Sequence, residues 1–197
     1  LTRLVGSEMC IRDSNRMLSI GMILKKAMKG ELDIMSAYQD IIDNKSQETI
    51  ENSEELNDEL ILVENMKKVF LLLLGKSFEK FGPEIDKNQQ VLLSLSDLAI
   101  ETYISESTLK RTVKNIKRTS TIDQEYQISM SKLYIYEAAK IIEKKSRDIV
   151  NSVIDDDNQE NIYSSILKKL SYTKNPNIFE LKTHVADKII AENKYCF

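Results

Sequence analysis

Glycine and proline are scarce in this chain: five and two of 197 residues. Together they make about 4%, against roughly 12% in an ordinary globular protein. Strand ends and tight turns depend on those residues, so a β-sandwich, a barrel or a many-looped α/β enzyme is excluded. From Glu84 to Phe197 there is no glycine and one proline, Pro176. Long apolar runs are also missing. The longest, Val69 to Leu74, is far below the ~18 residues that span a bilayer. No charge dominates either. The net charge of −3 supplies no global attraction to nucleic acid. Two cysteines at opposite ends, Cys10 and Cys196, form no disulfide framework and suit a reducing, cytoplasmic setting. Tryptophan is absent and His184 is the only histidine.

What is present is helical periodicity. A first helix is predicted over 15–29, with Lys25, Lys26 and Lys29 at its C-terminal end and Gly30 as its stop. A weaker amphipathic stretch covers 31–43, and the polar segment 44–55 reads as a solvated connection. In a second long helix, over 54–81, Leu56, Leu60, Val63, Met66, Phe70, Leu73 and Phe81 recur at steps of three and four. Gly82-Pro83 ends it, with Gly82 expected as a left-handed cap. A third helix starts near Asp86, read as an N-cap with Gln89 as its capping-box partner. It carries Leu92, Leu95, Ala99, Thr102, Leu109, Val113 and Ile116, and breaks at Thr119-Ser120-Thr121. A fourth covers 121–154 and stops at Asp155-Asp156-Asp157-Asn158. A short helix over 159–170 and a last one capped by Asn177, with Ile178, Leu181, Val185 and Ile189 inward, complete the chain. Long helices joined by short turns must fold back on one another. The expected fold is all-α: an antiparallel up-and-down bundle of long helices with shorter C-terminal helices.

Recognisable active-site chemistry is lacking. A di-iron bundle needs Glu-x-x-His pairs, and none exists; Glu180 precedes His184 by four residues, an ordinary helix-surface spacing. Zinc motifs, a P-loop, a dinucleotide fingerprint and a nucleophile elbow are absent. Glu101 and Glu106 are five residues apart, about 140° of net rotation, so they do not share a face. Glu106 can instead reach Lys110 at i+4. Lys110, Arg111, Lys114, Lys117 and Arg118 make a basic helix end that answers the macrodipole. Tyr126, Tyr134 and Tyr136 do not interleave with it as a base-stacking platform would require.

The first fourteen residues stand apart. Leu4 to Ser14, LVGSEMCIRDS, resembles the translation of a transposase adapter used in building sequencing libraries. Residues 1–14 are therefore read as an artefact that replaces native sequence, and Glu8, Cys10 and Asp13 are set aside as candidates. A signal peptide's apolar core is also lacking there.

Two other segments are distinctive: NRMLSIGMILKKAMKGELDIM, from Asn15 to Met35, and HVADKIIAENKYCF, from His184 to Phe197. Both resemble flavin-dependent acyl-CoA dehydrogenases, namely bacterial relatives of the very-long-chain type that carry an extra C-terminal helical domain. The resemblance covers residues 15–197; it is strong at the ends and weaker in the middle, where SDLAIETYISESTLKRT at 96–112 resembles a family helix. It implies that residues 15–45 are the last helices of a catalytic region with their connection, and 46–197 a C-terminal bundle domain. For the intact protein it implies FAD, oxidation of a fatty acyl-CoA to the trans-2-enoyl-CoA, and electron delivery to an electron-transfer flavoprotein. It further implies a homodimer that the bundle helps to build. The family's catalytic Glu lies in a segment Tyr-Glu-Gly-Thr-Asn-Glu-Ile-Asn-Arg, of which only Asn15 and Arg16 remain. Aligning on Arg16 sets that Glu at Met9. Glu8 is one residue off and lies in the adapter-like stretch, so the role does not transfer. No catalytic, cofactor-binding or metal-binding residue is carried onto this chain. The other reading from a different class is a stand-alone helical interaction or scaffolding domain, beginning near Met17.

Overall fold

The computed structural model describes residues 2–42, 54–116 and 121–193. Among these the regular structure is helical: α1 (Thr2–Met28), α2 (Ile34–Ile42), α3 (Asn57–Phe81), α4 (Gln89–Ile116), α5 (Thr121–Val153), α6 (Asp156–Lys169) and α7 (Ile178–Glu192). Short 3-10 turns at Glu54–Leu56 and Gly82–Lys87 flank α3. Most of the expected connection at 44–55, the Thr119-Ser120 part of the helix break, Lys117, Arg118 and Cys196 lie outside the described residues.

Cross-helix pairs fix the directions. Asp97 meets Lys145 and Thr112 meets Ser131, so α4 and α5 run antiparallel. Asn65 meets the Lys169 carbonyl and Lys80 meets Asp155, which sets α6 antiparallel to α3. The expected up-and-down bundle is present, with α3, α4 and α5 as its long members and α6 and α7 closing it. Its core joins Leu62, Met66 and Leu73 of α3 to Leu95 and Leu98 of α4 and Ile135 and Ile142 of α5, all at most 2% exposed. The steps of three and four that mark the sequence are the steps that bury these side chains.

Three boundaries differ from expectation. The first helix begins at Thr2 rather than near residue 15, so the adapter-like stretch is helical. Asp86 is not an N-cap. The 3-10 turn Gly82–Lys87, with Pro83 near its start, contains Asp86, and α4 begins only at Gln89, which removes the expected capping box. Gly82 has φ 51° but ψ −135°, outside the left-handed helical cap, because it turns the chain straight into that 3-10 segment. The acidic stop after α5 also opens α6, where Asp156 and Asp157 occupy the first turn and complement the helix dipole.

Two caps match the expected residues. Gly30 adopts φ 75° and closes α1: its N–H donates to the Ala27 carbonyl, and that of Glu31 to the Lys26 carbonyl. The Asn177 side chain accepts from the Glu180 N–H at the start of α7. The inward face expected for α7 is only half-buried at Ile178, Leu181 and Val185, and Ile189 is exposed.

Phe70–Leu74 has more apolar surface than one bundle face needs, which leads to the expectation that part of it faces a missing core or a second subunit. The chain itself covers much of it: Val69, Leu73 and Leu74 are buried, and Phe70 and Leu72 pack against the same core. The helix is enclosed by α2, α4, α5 and α6. Ile61, near the start of α3, is exposed, and the other exposed apolar side chains include a concentration on α1 and α2.

Candidate functional site

The polar groups that could mimic chemistry have structural partners. Glu106 accepts from Lys67 at 2.9 Å and pairs with Lys110 at 2.5 Å, while Lys67 also binds Glu64 at 2.7 Å. Burial alone would raise the Glu106 pKa; the hydrogen bonds from Lys110 and Lys67 outweigh it and hold the carboxyl below its ordinary range. Glu101 instead accepts from the Tyr134 hydroxyl at 2.9 Å. Burial and that carboxylate push the Tyr134 phenol well above its ordinary range. The two carboxylates thus serve different partners, as their rotation requires. His184 lies flat on Tyr126, with centroids 4.3 Å apart and planes 7° from parallel. In the basic end of α4, Lys110 is engaged by Glu106 and Lys114 sits in the last turn. Among the described residues no group of three or more His, Cys, Asp or Glu side chains is placed to hold a metal ion.

The best-defined feature is the junction of α1 and α2 with the bundle. Asp97 of α4 binds Arg16 of α1 through one carboxylate oxygen and Lys145 of α5, at 3.2 Å, through the other. Arg16 is braced by Asp13 at 3.0 Å, and Ser19 shares a 3.0 Å hydrogen bond with Ser96. One carboxylate therefore ties three helices. α2 docks separately. Tyr38 is 1% exposed, and its ring packs on Gly75 in the C-terminal half of α3. Beside that contact lies an apolar cavity of about 120 Å³, lined by Leu24, Ala27, Met28, Ile34, Met35 and Phe78 among others. Sequence reasoning missed Asp97, Lys145 and Tyr38 as junction residues. The one available signal was Gly75 itself, an isolated glycine within an apolar helix, which usually marks a close packing contact.

A family model described as acyl-CoA dehydrogenase, C-terminal domain, matches residues 65–169, more than half of the chain. The chain belongs to the acyl-CoA dehydrogenase family. It is 27% identical over 183 residues to a protein of Bacillus subtilis (strain 168) described as "Probable acyl-CoA dehydrogenase", covering 92% of this chain and 31% of that protein. Its fold matches the crystal structure of an acyl-CoA dehydrogenase complexed with FAD from Bacillus anthracis. The TM-score is 0.85 at 29% identity, over 94% of this chain and 31% of that one. This acyl-CoA dehydrogenase chain thus spans about a third of the length of the relatives it matches. The matched domain model begins within α3, so α1 and α2 lie upstream of it.

The apolar cavity beside Tyr38 does not fit a flavin dinucleotide. The apolar cavity, at about 120 Å³, is below the ~300 Å³ at which ligand pockets begin. Two larger spaces are open grooves. One of about 450 Å³ is lined by Lys76, Glu79, Lys80 and Asp155, and one of about 370 Å³ by Lys132, Glu180 and His184. A pyrophosphate seeks a helix N-terminus without competing carboxylates. Here the first turns of α3, α6 and α7 carry Asp58 and Glu59, Asp156 and Asp157, and Glu180, whereas those of α2 and α4 carry no acidic residue. No described helix is long and apolar enough to cross a membrane.

Proposed function

We propose that this chain is the C-terminal third of an FAD-dependent acyl-CoA dehydrogenase and serves it structurally. In this reading residues 1–14 are foreign, 15–45 are the last helices of the catalytic region, and 46–197 form the appended bundle. The intact enzyme, cytoplasmic and homodimeric, oxidises a fatty acyl-CoA to the trans-2-enoyl-CoA and passes electrons to an electron-transfer flavoprotein. The bundle supports the catalytic region and the dimer. The chain holds neither the catalytic Glu nor the flavin.

The observation that carries this reading is the shape of the match. Nearly the whole chain superposes on one third of a flavin-bound dehydrogenase. The polar groups agree with a structural role, since Glu101, Glu106 and His184 are each engaged by a neighbouring helix. A general base needs a positioned, water-excluded site next to substrate, and the cavity beside Tyr38 is small and apolar.

The test is flavin content and turnover of purified residues 15–197. The expected result is no absorbance near 450 nm after desalting from excess FAD, and no acyl-CoA-dependent reduction of an electron acceptor. Stoichiometric flavin or measurable turnover overturns the reading.

A further inference from the structure

Two successive residues of α4 hold Arg16. Its guanidinium binds one carboxylate oxygen of Asp97. Its carbonyl accepts from the Ser19 hydroxyl at 2.8 Å, and Ser19 shares a 3.0 Å hydrogen bond with Ser96. A hydroxyl carries one proton. That of Ser19 lies on the Arg16 carbonyl, so in the second bond Ser96 donates and Ser19 accepts. Backbone and side chain of Arg16 are therefore both tied to α4. The acceptor is fixed in turn. Lys145 of α5 holds the other Asp97 oxygen at 3.2 Å, which sets the plane of the carboxylate that Arg16 meets. The side chains of Arg16 and Asp97 are 21% and 17% exposed, so water screens them less than a fully exposed pair. The buried apolar anchors of α1, Ile20 and Leu24, lie further along the helix. Such contacts have no direction of their own, whereas a guanidinium fork accepts a narrow range of angles. Asp13 also pairs with Arg16 but lies in the adapter-like stretch, so it forms no part of the native arrangement.

We propose that Asp97 is a positioning residue for turnover: braced by Lys145 and assisted by Ser96, it fixes Arg16 and with it the downstream end of the catalytic segment. This role rests on the reading that the chain ends an acyl-CoA dehydrogenase whose catalytic Glu lies just upstream of Asn15. In that reading Arg16 is the last residue of the segment, so what holds Arg16 holds one end of it. Asp97 and Lys145 lie within the matched domain and Arg16 lies outside it. The ion pair thus crosses from the appended bundle to the catalytic region. A misplacement of about 1 Å, caused far from the chemistry, costs about a hundredfold in rate. Through this one carboxylate the bundle sets catalytic geometry as well as stability.

The test is steady-state kinetics of the full-length enzyme, produced from the complete gene, with acyl-CoA substrates and a dye as electron acceptor. Asp97→Asn and Arg16→Met should each lower kcat about ten- to hundredfold, with KM and flavin content within about twofold of wild type. The double variant should be no slower than the slower single one, because both changes remove the same interaction. Arg16→Lys, which keeps the charge and loses the fork, covers the case in which the larger changes prevent folding; its kcat should fall about three- to tenfold. Lys182→Gln opens the exposed pair with Glu137 between α7 and α5 and should leave kcat unchanged. Wild-type kcat in Arg16→Lys and in folded Asp97→Asn overturns the proposal, even where the melting temperature falls. An equal loss in Lys182→Gln overturns it in favour of general loosening, and losses that multiply in the double variant overturn the pairing. A wild-type enzyme that turns over as fast as its variants sinks this proposal alone. A wild-type protein without flavin or turnover sinks the dehydrogenase reading and this role with it.

Discussion

The ring of Tyr38 lies so close to Gly75 that a Cβ at that position would stand 2.5 Å from Tyr38 Cδ2 and 2.6 Å from its Cγ. Those atoms belong to the base and edge of a fully buried ring, so they cannot swing aside as the tip of a flexible chain would. α2 is held to α3 through this knob and hole.

Gly75→Ala therefore sets two effects against each other. Alanine gains about 1 kcal/mol of helix propensity over glycine. Overpacking costs about 1–3 kcal/mol, and this contact is too short to relax cheaply. The net expectation is a loss of stability of about 1–2 kcal/mol, read by urea denaturation. In a Tyr38→Ala background, itself destabilised by about 3–5 kcal/mol, the same Gly75→Ala change should become neutral or stabilising. An unchanged cost in that background would show that Tyr38 is not the obstacle.

Asp97 ties α1 and α5 to α4, and its two cations separate its roles. Arg16→Met should speed amide exchange in α1 while leaving global unfolding nearly unchanged. Lys145→Met should weaken the α4–α5 contact and leave α1 protected. Asp97→Ala should do both and cost about 1–3 kcal/mol, because hydrogen bonds to charged groups are worth more than neutral ones. Hydrogen-exchange mass spectrometry distinguishes the three patterns. Equal effects of Arg16→Met and Lys145→Met on α1 would refute the assignment.

The limits of sequence reasoning are visible in these residues. Periodicity located α3 to α5 because Leu73, Leu95, Ile135 and Ile142 repeat where one helix face must be apolar. Gly30 and Asn177 were legible because a cap acts within a few residues of its own helix. Asp86 misled because the turn forced by Pro83 competes with the capping signal and displaces the helix start. The junction was not legible. A carboxylate shared by Arg16 and Lys145 depends on the register of three helices, and nothing local to Asp97 encodes it. The apolar surplus is expected on Phe70–Leu74 because one helix's pattern does not reveal how many neighbours surround it. Packing moved that surplus to Leu18 and Met22.

Two glutamates should make stability respond to pH with opposite signs. Burial alone would raise Glu106, but Lys110 and Lys67 hold it below the ordinary 4.5. Its contribution is present above the unfolded value and is lost as pH falls through the folded one. Glu59, 3% exposed, is raised above 4.5 by burial, which Lys132 and a backbone hydrogen bond only partly offset. Its penalty appears as pH rises through that raised value. Glu106→Gln should thus be less stable than wild type at neutral pH, with the gap closing in acid below 4.5. Glu59→Gln should be more stable at neutral pH, with its advantage shrinking as pH falls toward 4.5. Urea midpoints from pH 3 to pH 7 test both; parallel curves for the two variants would contradict the assigned environments.

The attachment of α7 rests on unusually few groups. None of its residues is buried. Its hold on α5 includes the His184 stack on Tyr126, Lys188 at 4.3 Å from the same ring, and a 3.0 Å pair between Lys182 and Glu137. That last pair is more than half exposed and contributes little. An aromatic stack is worth about 0.5–1.5 kcal/mol. His184→Ala should therefore raise the open population of α7 about two- to tenfold, since 1.4 kcal/mol is a factor of ten. Global stability should barely move, because the core of α3, α4 and α5 lacks any α7 residue. Limited trypsin digestion reads this directly, as faster cleavage after Lys182 and Lys188 at an unchanged melting temperature. His184→Phe, which keeps a ring over Tyr126, should restore resistance, and Lys182→Gln should change cleavage after Lys188 little. If His184→Phe is as labile as His184→Ala, the stack is not what holds the helix, and the half-buried Ile178, Leu181 and Val185 must carry the attachment instead.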